Sequence, residues 1–530
     1  MQSAVGTRPV PCLSMRRFLS VVLFVAPLVA IADTTAHALP NTHPDFNNDG
    51  RGDLVVPAQG ESLANASGAG LVHVFYGKST GFSTANSQVW SQDGDIEGIA
   101  ENGDSFGSAT TYGDFDGDGY DDLAVGSGGE NAGAGAVNVI YGSAAGLAAA
   151  RNQLWREGIP DIQGTRVAGD GFGSALAAAD FNDDGYGDLA IGAPGDQSLP
   201  GVARGGIIMI LYGTSTGLTV AGVAVISQDT PTVGGTAEDG DKFGFALATG
   251  DIDRDGFPDL AVGAPGEATD VEAGGLVTVF FGSGAGIDAV RTQTISQGSA
   301  GLIETTEARD EFGTALAIGR FDGDNYRDLI VGVPGEDVSG VQDVGAIIAI
   351  KGAADSLQMS GASLIHMATP GVAGKLQANA LFGSVIERGN LNGDAYHDLV
   401  VGVWAFDIFP KSNVGAIVTL YGGAQMLAGA IPGAILHQDS SGVVDTAESF
   451  DGFGEFVRAI DSNGDGTDGI FVGVPFEDHS QRQDAGAGHM FSGSGLGLIG
   501  SSTTLWSQNS SGVADSAEGN DLFGGSGFNG

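Results

Sequence analysis

Short apolar runs separated by turn residues follow one another along most of the chain. In one stretch, the runs at residues 188–194, 205–213 and 225–229 are separated by segments rich in Gly, Asp and Pro. Runs of this length between such turn signals are typical of β-strands. Together with residues 174–180, which precede them, they form a group of four predicted strands. The chain is therefore predicted to be all-β.

The four-strand group recurs seven times. Each copy carries an acidic ten-residue segment, and these segments begin at residues 45, 114, 180, 251, 320, 390 and 461, so the period is about 70 residues. A Phe-Gly pair such as Phe172-Gly173 precedes six of them, and a last pair, Phe523-Gly524, has no acidic segment after it. Seven four-stranded units at constant spacing predict a seven-bladed β-propeller over residues 39–530, closed by the last Phe-Gly strand.

The composition indicates a folded chain that favours cations. Hydrophobic residues make up 42% of the sequence and charged residues 16%, a balance that argues against disorder. The net charge is −44, and 24 of the 65 acidic residues lie in the seven acidic segments. Such a surface repels phosphate, so nucleic acid is excluded as a partner and cations are favoured.

The N-terminus has the features of an export signal. Arg16 and Arg17 precede the apolar residues 18–32, and small residues follow at a predicted cleavage site. We therefore predict a signal peptide at residues 1–38 and a secreted, extracellular or cell-surface protein, with the periplasm as an alternative. A buried N-terminal helix or an anchor is the competing interpretation. The only cysteine, Cys12, lies in this leader, so the mature chain has no disulfide.

The acidic segments share the pattern D-x-[DN]-x-D-G-x-x-D-L. Side-chain oxygens fall at positions 1, 3, 5 and 9, and position 7 offers a backbone carbonyl, which together suit the oxygen-rich coordination of Ca2+. Glycine at position 6 permits the positive φ of a tight loop. Because nitrogen and sulfur ligands are absent, zinc and copper are excluded as natural occupants.

About four calcium sites are expected, since the first four loops carry every ligand. The sixth loop lacks the turn glycine, and the fifth and seventh are expected to be empty because Arg320 and Gly469 replace ligands. Arg320 is hypothesised to supply the positive charge of the fifth loop. The predicted ligands are Asp45, Asn47, Asp49, Arg51 and Asp53; Asp114, Asp116, Asp118, Tyr120 and Asp122; Asp180, Asn182, Asp184, Tyr186 and Asp188; Asp251, Asp253, Asp255, Phe257 and Asp259; and Asn390, Asn392, Asp394 and Asp398.

Two alternatives bear on these loops. An EF-hand begins in the same way but needs Glu at position 12, where the second loop has Val125 inside a predicted strand. Metal-free turns, in which Asp side chains cap their own backbone, stay open as the second alternative.

The order of Phe-Gly, acidic loop and Gly-Ala-Pro, as at residues 192–194 and 263–265, resembles the FG-GAP repeats of the integrin α headpiece. The resemblance implies a seven-bladed propeller with calcium on one face and partner binding mainly on the other. It also implies a non-catalytic binding or adhesion module for an unknown extracellular protein or glycan. The alternatives are a secreted propeller enzyme, such as a phospholipase or a glycan-active hydrolase, and a structural component of an envelope. No apolar run beyond the leader approaches membrane length.

Two short motifs are interpreted as structural. Arg51-Gly52-Asp53, a tripeptide that integrins bind, occupies positions 7 to 9 of the first loop, where Asp53 is predicted to face the ion. The pattern G-x-S-x-G of serine hydrolases occurs at residues 77–81 and 213–217, but other repeats keep these glycines and lose the serine.

Overall fold

The protein is described here by a computed structural model. It describes residues 43–525 apart from residues 85, 95, 161, 163, 198–203, 270, 303–304, 428–431 and 480. The signal peptide predicted at residues 1–38 lies outside the described residues. Within them, seven antiparallel sheets form a ring, which confirms the predicted all-β seven-bladed propeller.

Each sheet is one blade, and its strands follow one another in sequence. The strands are β1 (Leu54–Ala58), β2 (Leu71–Phe75) and β3 (Gln88–Trp90) in blade 1; β4 (Phe106–Gly113), β5 (Asp122–Ser127), β6 (Ala136–Tyr141) and β7 (Ala148–Trp155) in blade 2; β8 (Ala175–Ala179), β9 (Asp188–Ala193), β10 (Ile207–Tyr212) and β11 (Thr219–Ile226) in blade 3; β12 (Ala246–Gly250), β13 (Asp259–Ala264), β14 (Leu276–Phe280) and β15 (Thr292–Ile295) in blade 4; β16 (Leu316–Gly319), β17 (Asp328–Val333), β18 (Ala346–Ala353) and β19 (Ser356–Ile365) in blade 5; β20 (Val385–Gly389), β21 (Asp398–Val403), β22 (Ala416–Leu420) and β24 (Ile435–Leu436) in blade 6; and β25 (Val457–Ile460), β26 (Gly469–Val474), β27 (Ala487–Ser492) and β28 (Ile499–Trp506) in blade 7. A short strand, β23 (Ala424–Leu427), and a four-residue helix, α1 (Glu130–Gly133), lie outside these sheets.

The first strands of neighbouring blades pack against one another around the axis of the ring, as β4, β8, β12 and β16 do. Two cavities of about 270 and 380 Å³ lie between these strands. Ser174 and Glu455 line the first cavity, and Glu387 and Arg388 line the second.

The C-terminal Phe-Gly pair completes blade 1. Phe523 bridges Ala58 of β1 in antiparallel fashion, and the amide of Gly524 donates a hydrogen bond to the carbonyl of Pro57 at 2.8 Å. The end of the described chain therefore supplies the inner edge of the sheet formed by its beginning.

The Phe-Gly pairs pack each blade against the one before it. Phe172 is fully buried and bridges Gly135 of blade 2. Gly173 has φ +87°, and a Cβ there would lie 2.6 Å from Val137 Cγ2. Only glycine fits this close approach without strain, which explains why the pair recurs in every blade.

Alternation of antiparallel strands gives the ring two chemically different ends. The loops from first to second and from third to fourth strands lie at one end, named here the hairpin end, which carries the acidic loops. The loops from second to third strands and the connections between blades lie at the other, the junction end. No helix among the described residues is long and apolar enough to cross a membrane.

Candidate metal centres

The acidic loops are tight turns held by their own carboxylates. In the second loop, Asp114 Oδ1 accepts a hydrogen bond from the Asp118 amide at 3.0 Å, and its Oδ2 accepts one from the Gly119 amide at 2.9 Å. Asp118 Oδ1 in turn accepts a hydrogen bond from the Tyr120 amide at 3.1 Å. The loops beginning at residues 45, 180, 251 and 461 repeat this arrangement.

The aspartate at position 9 ties each of the first six loops to the rest of its blade. Asp122 is fully buried, and its two oxygens accept hydrogen bonds from the amides of Phe115 and Gly142, both at 2.8 Å. Burial raises the pKa of Asp122 to about 8, the largest of the effects on this group. The equivalent residues, each with two backbone donors, are Asp53, Asp188, Asp259, Asp328 and Asp398.

These hydrogen bonds leave capacity for a cation. A carboxylate has about four lone-pair sites, so an oxygen that accepts one amide hydrogen can still coordinate an ion. Asp116 Oδ1 is buried and accepts no hydrogen bond from the described residues. The second loop therefore combines a fixed backbone with a free oxygen ligand.

In three loops the structure brings three carboxylates together. One oxygen from each member lies within 4.8 Å of the others in the sets Asp114, Asp116 and Asp122; Asp251, Asp253 and Asp255; and Asp322, Asp324 and Asp328. Two oxygens that bind one calcium ion at about 2.3 to 2.6 Å can lie that far apart, so each set can hold a divalent cation. In the first and third loops, Asn47 and Asn182 offer amide oxygens at position 3.

The fifth loop was expected to be empty, yet its acidic side chains lie close together. Its three carboxylates converge although Arg320 replaces the first aspartate. The cationic group that pairs with Asp322 is Lys351 of β18, and no ion pair of Arg320 is found within the described residues. The hypothesis that Arg320 supplies the positive charge of this loop is therefore wrong, because Lys351 supplies it.

Basic side chains also face the second and fourth loops. Arg151 pairs with Asp116, and Arg291 pairs with Asp253 and lies 3.1 Å from Asp255 Oδ2. The two arginines hold equivalent positions, each two residues before a glutamine on the outer strand. That recurrence is visible in the sequence, although it lies outside the acidic motif.

The last two loops have weaker ligand sets. In the sixth loop Asn390 stands at position 1 in place of an aspartate, and its amide nitrogen donates to the Asp394 carbonyl at 3.2 Å. In the seventh loop Gly469 stands at position 9, so no aspartate ties that loop to its blade. Its neighbour Asp468 pairs instead with His43 at 2.7 Å.

The tripeptide Arg51-Gly52-Asp53 is not presented to solvent as an adhesive peptide. Asp53 is fully buried, and its oxygens accept hydrogen bonds from the amides of Phe46 and Gly77, both at 2.9 Å. A receptor needs this carboxylate exposed, so the tripeptide is a consequence of the loop.

The G-x-S-x-G segment at residues 213–217 is a packing turn. Thr214 Oγ1 donates to the Gly217 carbonyl at 2.7 Å, and a Cβ on Gly217 would lie 1.9 Å from the Tyr141 hydroxyl. Both ends of the motif are glycine because neighbouring backbone and side-chain atoms occupy the space a Cβ would need.

A family model of a known repeat matches five of the seven repeat units. The FG-GAP repeat family model matches residues 44–75, 106–140, 172–210, 243–280 and 312–350, which lie in blades 1 to 5. Among solved structures, a rhamnogalacturonan lyase of Bacillus licheniformis aligns over 86% of this chain and 76% of its own, with 10% identity and a TM-score of 0.31. That likeness is too distant to inform function.

Curated relatives match parts of the chain. Phosphatidylinositol-glycan-specific phospholipase D of Rattus norvegicus is 36% identical over 163 residues, 31% of this chain and 18% of that protein. Integrin alpha-PS2 of Drosophila melanogaster is 34% identical over 251 residues, 46% of this chain and 16% of that protein. Integrin alpha-7 of Homo sapiens is 33% identical over 178 residues, 33% of this chain and 13% of that protein. The matches thus span less than a fifth of each relative.

Proposed function

This chain carries FG-GAP repeats in an integrin α-like propeller, and from that premise we propose that it is a calcium-stabilised module that binds a protein ligand outside the cytoplasm. Calcium would occupy the acidic loops, and the convergence of carboxylates from Asp114, Asp116 and Asp122 supports this. An ion there would offset the mutual repulsion of the clustered carboxylates and stabilise the folded ring.

Three exposed aromatic residues in neighbouring connections support the binding role most directly. Phe409, Phe450 and Phe476 are 97%, 62% and 37% exposed, and they are named here the aromatic patch. They belong to the connections at the junction end of blades 6 and 7. Exposed apolar patches on otherwise polar proteins mark interaction sites.

The three connections are tied into one surface. The Phe450 amide donates to the Ser412 carbonyl at 2.9 Å, close to Phe409 in sequence. The ring of Phe476 lies beside Gly452, where an added Cβ would be 3.1 Å from its Cδ2. The patch therefore faces away from the acidic loops, at the opposite end of the ring.

Several acidic residues lie in the same connections as the aromatic patch. Burial and then the charges of Asp445 and Asp451 raise the pKa of the buried Glu477 to about 8. Glu448 and Asp478 are exposed beside it. This combination favours a protein ligand with an apolar side chain ringed by basic residues, over an anionic glycan.

The proposal is tested with purified full-length protein and immobilised panels of extracellular proteins and glycans. Saturable binding to a basic protein is expected in calcium, with affinity reduced at least tenfold when Phe409, Phe450 and Phe476 are replaced by Ser. The matched control replaces Val290 and Leu496 by Ser, because these exposed residues, 70% and 85% accessible, lie at the hairpin end.

Two results would contradict the proposal. Unchanged binding by the triple Phe variant would show that the ligand binds another surface. Turnover of a phospholipid or glycan ester by the wild-type protein would support the enzyme alternative, since one set of relatives carries the name phospholipase D. Export rests on the predicted signal peptide, and an intact residue 1 in protein collected outside the cell would refute cleavage after residue 38.

A further inference from the structure

Each boundary between blades carries three side chains that meet at the junction end, named here a junction triad. One residue follows the outer strand of a blade. The second lies two positions before the phenylalanine of the next Phe-Gly pair, and the third lies in the next blade, after its second strand. In five of the seven triads the residues are Gln, Asp and Glu: Gln92, Asp104 and Glu130; Gln228, Asp241 and Glu267; Gln297, Asp310 and Glu336; Gln438, Asp451 and Glu477; and Gln508, Asp521 and Glu61.

In these five triads the amide joins the blades. Its nitrogen donates to the facing glutamate, at 2.8 Å from Gln297 to Glu336 and at 2.7 Å from Gln438 to Glu477. The aspartate accepts a hydrogen bond from the amide of the residue three positions before it, as Asp310 does from Glu307 at 2.5 Å. The arrangement satisfies one carboxylate with a neutral donor from the preceding blade.

The remaining two triads depart from this set in opposite ways. Between blades 5 and 6 all three members are apolar, Met367, Ala380 and Phe406, so the acids disappear with the amide. Between blades 2 and 3 the amide is replaced by an acid and both acids stay, which gives Glu157, Asp170 and Asp196. This boundary thus loses its donor and gains a carboxylate.

The all-acidic triad is closed off from solvent. Glu157 is 2% exposed, and Asp170 and Asp196 are fully buried. One oxygen from each lies within 4.8 Å of the others. Among the carboxylate clusters that the described residues form, this is the one whose three members are all buried.

Glu157 meets two other acids where five boundaries have an amide donor. Both of its carboxylate oxygens are buried and accept no hydrogen bond from the described residues. The nearby basic residue Arg166 is engaged at the previous boundary, with Nη2 at 3.1 Å from Glu130 Oε1. A buried carboxylate without a donor or a counter-charge is costly, so Glu157 is neutralised here either by a proton or by a bound cation.

The triad also has room and rigidity for an ion. Asp196 stands where five triads have Glu, and the shorter side chain withdraws its carboxylate by roughly 1.5 Å, the length of one carbon–carbon bond. The Gly195 amide donates to the Asp170 carbonyl at 2.9 Å, which fixes the two acids of blade 3 relative to each other. Oxygen ligands alone, at this separation, suit a hard divalent cation.

We propose that Glu157, Asp170 and Asp196 bind a calcium ion between blades 2 and 3, at the junction end and separate from the acidic loops. The ion takes the place of the Gln donor of the other boundaries and joins carboxylates from two blades. The site does not depend on the aromatic patch or on calcium in the hairpin loops.

The first test counts bound Ca2+ on the full-length protein by equilibrium dialysis. Glu157→Gln restores the residue found at five other boundaries, so the variant is expected to fold and to bind one calcium ion fewer than wild type. In Asp196→Glu the longer side chain occupies the space proposed for the ion, so this variant is also expected to bind one calcium ion fewer. An unchanged count in both folded variants would overturn the proposal.

A spectroscopic test separates this site from the loops. Trp155 lies two residues before Glu157, whereas the acidic loops contain no tryptophan. Terbium emission excited through tryptophan is therefore expected from wild type and reduced by at least half in Glu157→Gln and in Trp155→Phe. Equal emission from all three proteins would count against an ion at the triad.

A graft provides the converse test. Gln228→Glu combined with Glu267→Asp reproduces the all-acidic triad at the boundary of blades 3 and 4. One additional bound calcium ion is expected, and a folded double variant with no additional ion would show that these three residue types do not make a site.

Discussion

Gln508 Nε2 lies 2.6 Å from Glu61 Oε2, so a side-chain hydrogen bond joins the last blade to the first. The same seam contains the backbone hydrogen bond from the Gly524 amide to the Pro57 carbonyl, at 2.8 Å, and the buried ring of Phe523. The seam of the ring is therefore built like the other polar boundaries, although its two sides lie at opposite ends of the sequence.

Removing the ring of Phe523 is expected to open this seam. Phe523 is fully buried, and its ring lies 5.3 Å from that of His73. Phe523→Ala should lower the free energy of unfolding by about 3 to 5 kcal/mol, as for other buried aromatic truncations. Denaturant unfolding measures the change. Phe450→Ala, at an exposed position, is the control and should change it by less than about 0.5 kcal/mol.

Two aspartates of the second loop should separate structural from ionic roles. Asp122→Asn weakens two buried backbone hydrogen bonds and should lower the melting temperature even with chelator present. Asp118 is exposed, so Asp118→Asn should lower it only when calcium is present. Thermal unfolding with and without EDTA makes the comparison. Equal effects of both variants under both conditions would contradict a calcium role for Asp118.

Arg151 should compete with calcium for the second loop. Its guanidinium pairs with Asp116 while its own side chain is half exposed, so the pair contributes little stability. Arg151→Gln is expected to strengthen calcium binding at this loop about three- to fivefold with little change in stability. Calorimetric titration gives the affinity, and Arg309→Gln, which removes an exposed arginine away from the loops, is the control. A weaker affinity in Arg151→Gln would show that the arginine assists binding.

Stability without calcium should depend on pH through Glu61. Burial, followed by the charge of Asp521, raises the pKa of Glu61 to about 8, above its ordinary value of 4.5. The folded chain holds this proton more tightly than the unfolded chain does. The contribution of protonated Glu61 to the free energy of unfolding is therefore complete below about pH 4.5 and is lost as the pH rises through about 8.

Glu61→Gln keeps the size of the side chain and removes its titration. The fall in melting temperature between pH 5 and pH 9 is therefore expected to be smaller in this variant than in wild type. The exposed Glu272→Gln serves as control and should follow wild type. Identical pH profiles for all three proteins would refute the assignment to Glu61.

Much of the fold was predictable because each repeat is marked by residues that lie close together in the sequence. The Phe-Gly pairs, of which Phe172-Gly173 is one, and the spacing of the acidic loops gave the number of blades. The roles of Arg151 and Lys351 were not predictable in this way, since each side chain reaches a loop from another strand. The convergence of Asp322, Asp324 and Asp328 was not predicted either, because the fifth loop lacks the aspartate at position 1 and was expected to be empty.

The sequence by itself determined the all-β architecture, the sevenfold period and the alternation of oxygen ligands within each loop. These features depend on residues a few positions apart, whose geometry follows from strand and turn preferences. Only the tertiary structure decided that Asp53 is buried under two backbone amides and that Glu157 meets Asp170 and Asp196. Burial and encounters between blades depend on how neighbouring sheets pack, and no local period along the chain encodes that packing.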